Sequence, residues 1–98
     1  MMIVTGSILA KPEHSEALML HSLEHVRRSR TEAGCLSHAV HRDAENPLRL
    51  VFVEEWADRD ALLAHFAVPA SRAFVKAAAG LAAAAPEMKV FEATPLKL

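Results

Sequence analysis

The sequence predicts an α+β domain of order β-α-β-β-α-β, in which a four-stranded antiparallel sheet carries helices on one face, the ferredoxin-like arrangement. Three features of the chain carry that prediction. Stretches of strand composition stand at Met2 to Ala10, Cys35 to Asp43, Leu48 to Trp56 and Glu87 to Thr94. Helical periodicity fills Glu13 to Glu32 and resumes after Asp58. The loop Ala44-Glu45-Asn46-Pro47 joins the two middle strands as a hairpin.

The first strand is rich in Ile, Val, Thr and Leu, with Gly6 inside it. A glycine there marks a bulge or a close approach to the backbone. Lys11-Pro12-Glu13 turns the chain; proline suits the first helical turn, and Glu13 and Glu16 suit its positive end. In the first helix Leu20, Leu23 and Val26/Arg27 fall at helical spacing, with Ala17 a turn earlier, and this face is expected to meet the core. Arg27, Arg28 and Arg30 suit the negative end of the helix, and Gly34 is its stop.

On the second strand Leu36, His38, Val40 and Arg42 share one face, and Cys35, Ser37, Ala39 and His41 the other. The third strand is nearly continuous in apolar residues, the mark of a strand covered on both faces. The chain's own helices cover one face, and a partner subunit is the simplest cover for the other. Asp58 is the expected N-cap of a helix carrying Leu62, Leu63, His65 and Phe66. That helix breaks at Val68-Pro69, because a residue before proline is pushed out of the helical region. A second piece restarts with Phe74. The alanine-rich run Lys76 to Ala85, interrupted by Gly80, continues as a thin helix up to Pro86.

Ninety-eight residues make one domain, 1–98. A chain this short hides only roughly 60–65% of its extended surface, yet 52% of its residues are apolar and its mean hydropathy is +0.15. The excess reads as the interface of a homodimer. No run approaches the roughly 18–20 apolar residues of a membrane span, and Met1 to Ala10 lacks the basic start of a signal peptide. A net charge of −1 makes no electrostatic case for nucleic acid. A single cysteine, Cys35, excludes an intramolecular disulfide and fits a cytoplasmic location.

The stretch Glu54 to Phe74 brings the only tryptophan, a carboxylate and a histidine close together, so any pocket is expected there. His65 lies on the apolar side of a short helix. It is either a general base, for which an ordinary pKa near about 6.5 suits neutral pH, or a histidine that caps a carbonyl or meets a partner. His38 either lines the same cavity or is satisfied by a backbone or carboxylate group. Glu54 points with Leu50, Phe52 and Trp56, and a glutamate on a buried face is paired or protonated. Arg72 is its expected partner, with the orienting of a histidine as the functional alternative. Trp56 is a core residue first, and second a flat apolar wall with one N–H for an aromatic ligand. Phe66 and Phe74 are core residues or pocket lining.

His14, His21 and His25 fall in a narrow stripe of the first helix, with His21 and His25 at a spacing that can bind zinc. No cysteine or carboxylate at fixed spacing completes the set, so a solvated polar face is expected and no metal site. Cys35 is expected to be a buried, inert thiol. No nucleophile elbow, phosphate-binding loop or dinucleotide fingerprint is present.

At Gly34-Cys35-Leu36-Ser37-His38, Arg42-Asp43, Asn46-Pro47, Phe52-Val53-Glu54-Glu55-Trp56, Leu63-Ala64-His65-Phe66, Pro69 and Arg72-Ala73-Phe74 the chain closely resembles the antibiotic biosynthesis monooxygenase family, which includes the quinol monooxygenases. The resemblance covers almost the whole chain, with the motifs in order. It implies a dimeric α/β barrel and oxygenation of a quinol or polycyclic phenol by O₂ without flavin, haem or metal. His65 or His38 would take the phenolic proton, and Trp56, Glu54, Phe66 and Phe74 would surround a small aromatic substrate. The family also holds haem degraders and an isomerase. A proton-transfer enzyme acting on a small carbonyl compound and a non-catalytic dimeric ligand-binding protein therefore stand as alternatives. Two positions depart from the family pattern. Ala70 and Ser71 stand where a His-Phe pair commonly follows the proline, and His38 stands where the strand often has tyrosine. The haem-degrading branch is less similar, because its catalytic asparagine, tryptophan and histidine fall at Thr5, His65 and Val75.

Overall fold

Strong alternation along the third strand sets the architecture. In the computed structural model, which describes residues 1–98, β1 (Met2–Leu9) lies between β3 (Asn46–Trp56) and β4 (Glu87–Glu92), and β2 (Cys35–Asp43) flanks β3 on its far side. All pairings are antiparallel, in the order β2-β3-β1-β4. Helices α1 (Ser15–Ser29), α2 (Arg59–Ala67) and α3 (Pro69–Leu81) complete the predicted ferredoxin-like α+β fold, with a short 3₁₀ turn at Pro12–His14 before α1. No helix is long and apolar enough to cross a membrane.

Opposed residues in the ladder share a face. Met2, Val4 and Ile8 of β1 therefore point with Trp56, Glu54 and Leu50 of β3, to which they are paired, and toward the helices. Two apolar clusters result. Ile8, Leu18, Val26, Leu50, Phe52 and Ala78 form the larger, and Met2, Val4, Trp56 and Leu62 the smaller. Each fully buried Leu or Val stabilises the fold by about 1.5–3 kcal/mol. Along β3 the break between the clusters falls at Glu54, between Phe52 and Trp56. The cavity described below opens in that gap.

Local chemistry sets the joints. The Asp58 carboxylate accepts from the Ala61 N–H at 2.8 Å and caps α2 as predicted. Val68, with ψ at 126°, ends α2, and Pro69 opens α3. Gly34 is the one residue with positive φ, at 81°. Gly6 sits in unbroken pairing, not at a bulge; a Cβ there would lie 3.2 Å from the Glu87 carbonyl oxygen, so the glycine permits a close approach.

Several expectations are corrected. The buried stripe of α1 is Leu18, Ser22, His25, Val26 and Ser29, whereas Leu20 is 67% exposed. The helix was phased on Leu20 and Leu23, but three members of the true stripe are polar and invisible to apolar periodicity. A bulge between Cys35 and Ser37 swings Leu36 outward to 56% exposure and lets Cys35 pack on the Trp56 cluster. The last helix ends at Leu81, not Ala85, because the Ala83 N–H bonds the Leu9 carbonyl at 2.7 Å and Ala82 bridges Ala10. The hairpin is also tighter than expected: Asp43 pairs Asn46 across Ala44-Glu45.

Candidate active site

Three histidines from three elements pack together, and two of them face one carboxylate. His25 of α1, His38 of β2 and His65 of α2 are all buried, and their rings pack with centroids 5.2–5.7 Å apart. Glu54 of β3 places Oε2 3.5 Å from His38 Nε2 and Oε1 3.8 Å from His65 Nε2. These four residues line a cavity of about 300 Å³ together with Phe52, Phe66, Phe74, Ser71 and Arg72 and the edge of β4.

Each group has a distinct neighbour. Trp56 Nε1–H donates to Glu54 Oε1 at 3.0 Å. His65 Nδ1 meets Glu32 Oε1 at 2.9 Å. A carboxylate only accepts, so Nδ1 carries the proton and Nε2 keeps its lone pair. Arg28 Nη2 lies 2.7 Å from His25 Nδ1 and 3.4 Å from Ser71 Oγ. Phe74 stacks on the His25 ring at 4.2 Å and 7°. His38 has no hydrogen-bond partner on either ring nitrogen, although it is only 1% exposed, and its approach to Glu54 is the 3.5 Å contact alone.

Burial dominates the electrostatics. It pushes His25 down to about 3, helped by His65 and Arg28 nearby. It also pushes His38 down to about 3, with His25 and His65 the next contributors. Both rings are therefore neutral at pH 7. Burial raises the Glu54 carboxyl above the usual range, and the Trp56 N–H opposes the shift.

The predicted site residues His65, His38, Glu54, Phe66 and Phe74 are brought together on one cavity. Trp56 is the exception. It is fully buried and absent from the cavity wall, and its ring backs His65 at 4.6 Å. It is the core residue of the first expectation and not the flat wall of the second, because its strand position lies beneath α2 and not in the gap. Arg72 stands at the exposed rim, and the partner of Glu54 is the Trp56 N–H. His25 overturns the expected solvated stripe: His21 is exposed, but His25 is buried in the site. Glu32 carries no functional expectation from the sequence; periodicity puts it at the end of the first helix, whereas α1 ends at Ser29 and Glu32 lies in the turn beyond it.

Three buried imidazoles resemble a metal centre in composition, since their nitrogens lie within 4.8 Å of one another. The donor set does not fit one. Arg28 donates to His25 Nδ1, so the proton of neutral His25 sits on Nε2 and no lone pair faces the cavity from that ring.

Comparison with known proteins agrees with this fold. Residues 1–77 match the family model for antibiotic biosynthesis monooxygenase. A protein of Synechocystis sp., itself uncharacterized, is 32% identical over 90 residues, covering 92% of this chain; the chain spans only 61% of that relative's length. The crystal structure of a candidate antibiotic biosynthesis monooxygenase from Deinococcus radiodurans superposes with a TM-score of 0.94 at 26% identity, over 100% of this chain and 97% of the other. A further antibiotic biosynthesis monooxygenase gives 0.89 at 28% identity, over 97% and 100%. A Pseudomonas aeruginosa protein gives 0.85 at 26%, over 96% and 94%. With the fold, the order of motifs and the family match in agreement, the chain belongs to the antibiotic biosynthesis monooxygenase family.

Proposed function

We propose that this protein is a cofactor-independent monooxygenase that oxidises a quinol or polycyclic phenol with O₂. The observation that carries the reading is the Glu32–His65 pair at 2.9 Å. It holds the His65 lone pair on Nε2, toward a cavity walled by Phe52, Phe66 and Phe74. His65 takes the phenolic proton. The electron-rich anion then gives one electron to O₂, and the ring radical and superoxide recombine into a hydroperoxide. Loss of water leaves a quinone. One oxygen atom stays on the ring and the other leaves as water, with the two hydrogens lost from the ring carbon and hydroxyl. The chain contributes orientation, a dry site and one base, the last typically worth about 10²–10⁴-fold.

The test is oxygen uptake by metal-stripped protein with a panel of hydroquinones and polycyclic phenols. Protein-dependent uptake that survives chelator and fails in His65→Ala is expected; full turnover in His65→Ala removes the base assignment. A second reading draws on Glu54, a buried acid 3.8 Å from His65 Nε2. An acid and a base so placed suit proton transfer on a small carbonyl compound, and turnover under strict anaerobiosis would favour it.

The same proposal includes a homodimer. The sheet face away from the helices leaves Ile3, Leu9, Val51 and Val53 without cover from this chain, with Val53 39% exposed. A second copy is the occupant whose matching face carries the same residues. Val53→Lys is expected to shift sedimentation at micromolar concentration from dimer to monomer; a wild-type monomer contradicts the proposal.

A further inference from the structure

Two histidines of the site are held as opposite tautomers, and the third is unpartnered. Glu32 fixes the His65 proton on Nδ1, so His65 Nε2 is an acceptor. Arg28 has no acceptor atom, so it donates to His25 Nδ1 and leaves the proton on His25 Nε2, a donor. Neither Nε2 is among the buried atoms that lack partners, while both nitrogens of His38 are. All three rings line the cavity. One nitrogen of each ring lies within 4.8 Å of one nitrogen of the others, and the nitrogens that Arg28 and Glu32 leave free are His25 Nε2 and His65 Nε2.

We propose that His65 Nε2 and His25 Nε2–H together bind one hydroxyl oxygen of the substrate, that His65 removes its proton, and that His25 Nε2–H receives the resulting oxyanion. Arg28 is the positioning residue that sets the His25 tautomer. The inference rests on the phenol or quinol reading above and adds the group that stabilises the anion. The proton passes from the hydroxyl to His65 Nε2, the electron pair stays on oxygen, and no bond to carbon changes. Glu32 stands behind the imidazolium so formed. A fixed donor aimed at developing negative charge in a water-poor site acts as an oxyanion hole does. Phe74, parallel to the His25 ring, holds it in plane. The charged and titratable groups facing His25 are Arg28 on its own helix, His38 on β2 and His65 on α2, with Glu54 of β3 beyond them.

The test uses ¹⁵N-histidine spectra and the probe 4-nitrophenol, which is yellow only when ionised. In free wild-type protein His25 is expected to be protonated on Nε2, and in Arg28→Met to become a mixture of tautomers. Bound probe is expected to ionise about one pH unit lower than free probe. His25→Phe should lose that roughly tenfold gain in acidity and Arg28→Met should lessen it. His25→Gln, whose amide N–H stands where Nε2–H does, should keep most of it. Should His25→Phe not fold, Arg28→Met and His25→Gln still decide. A proton on His25 Nδ1 overturns the inference whether or not probe binds. Probe that binds with unshifted ionisation in every variant overturns the oxyanion role and leaves the phenol pocket standing. Failure of probe to bind a protein with the expected tautomer removes the phenol reading, and this inference with it.

Discussion

Glu32 and His65, 33 residues apart in the chain, meet at 2.9 Å through Oε1 and Nδ1. Glu32 lies in the turn after α1 and His65 near the end of α2, so the pair forms only once both elements dock on the sheet. A carboxylate in this position selects the tautomer and stabilises the imidazolium that a base becomes. Glu32→Gln keeps an acceptor and loses the charge. On any substrate the protein turns over, it is expected to lower kcat by about 10–100-fold with little change in KM. An equal loss in KM alone would make Glu32 a binding residue.

Trp56→Phe is expected to cost about 2–4 kcal/mol, because it strips the buried Glu54 carboxyl of its N–H donor and leaves a gap in the smaller core cluster. The Trp56 bond holds Glu54 down against burial, so its loss raises the carboxyl further. The unfolded state is common to both proteins, so the pH-dependent part of the penalty is absent while the folded carboxyl is protonated in each and grows as pH rises above the wild-type folded value. Urea unfolding at pH 5 and pH 8 measures it; an equal penalty at both contradicts the Trp56–Glu54 account.

Gly34→Ala tests the joint that seats α2. The position has φ of 81°, and a Cβ would lie 2.5 Å from Ala61 Cβ. Left-handed strain of about 1–2 kcal/mol and overpacking of about 1–3 kcal/mol act together. A fall in Tm of at least about 10 °C is expected for a domain of this size. Gly80→Ala is the contrast. It lies inside α3 with nothing within 4 Å of an added Cβ, so a gain of about 0.5–1 kcal/mol is expected.

Much of this molecule is legible in the chain, and the illegible part has one cause. Alternation along Leu50, Phe52, Glu54 and Trp56 identifies the inward face of β3 and puts Glu54 in the core. Proline after Val68 locates the α2–α3 break, and Asp58 the cap. His38 and His65 are found because each sits among apolar residues on its own element. His25 is not, because its buried neighbours Ser22 and Ser29 are polar and Leu20 and Leu23 suggest another phase. The spacing of Leu18, Ser22, Val26 and Ser29, small residues alternating with apolar ones, is the signal that would have found it. Helical periodicity extends the first helix to Glu32, but α1 ends at Ser29, so the turn that brings Glu32 to His65 is visible only in three dimensions.

Folding stability is expected to fall on mild acidification. His25 and His38 are ordinary histidines in the unfolded chain, titrating near 6.5, and are pushed to about 3 in the folded one. Below pH 6.5 the unfolded chain therefore binds protons that the folded chain refuses. The stability is fully present above pH 6.5 and is lost as pH falls toward 3, at about 1.4 kcal/mol per pH unit for each histidine. Glu54 works the other way, because its raised carboxyl is protonated in the folded chain at pH values where the unfolded one has ionised. It offsets about 1.4 kcal/mol per unit between its raised folded value and the unfolded value of 4.5. A net loss of about 1–3 kcal/mol per unit is thus expected once pH drops below 6.5. Against a typical domain stability of about 5–15 kcal/mol, the loss of about 3–7 kcal/mol between pH 6.5 and pH 4 is a large fraction of the whole. His38→Phe removes one of the two contributions and should roughly halve the histidine part of the slope. Urea midpoints at pH 7, 6 and 5 check this, and a flat midpoint would mean that the two rings accept protons in the folded state.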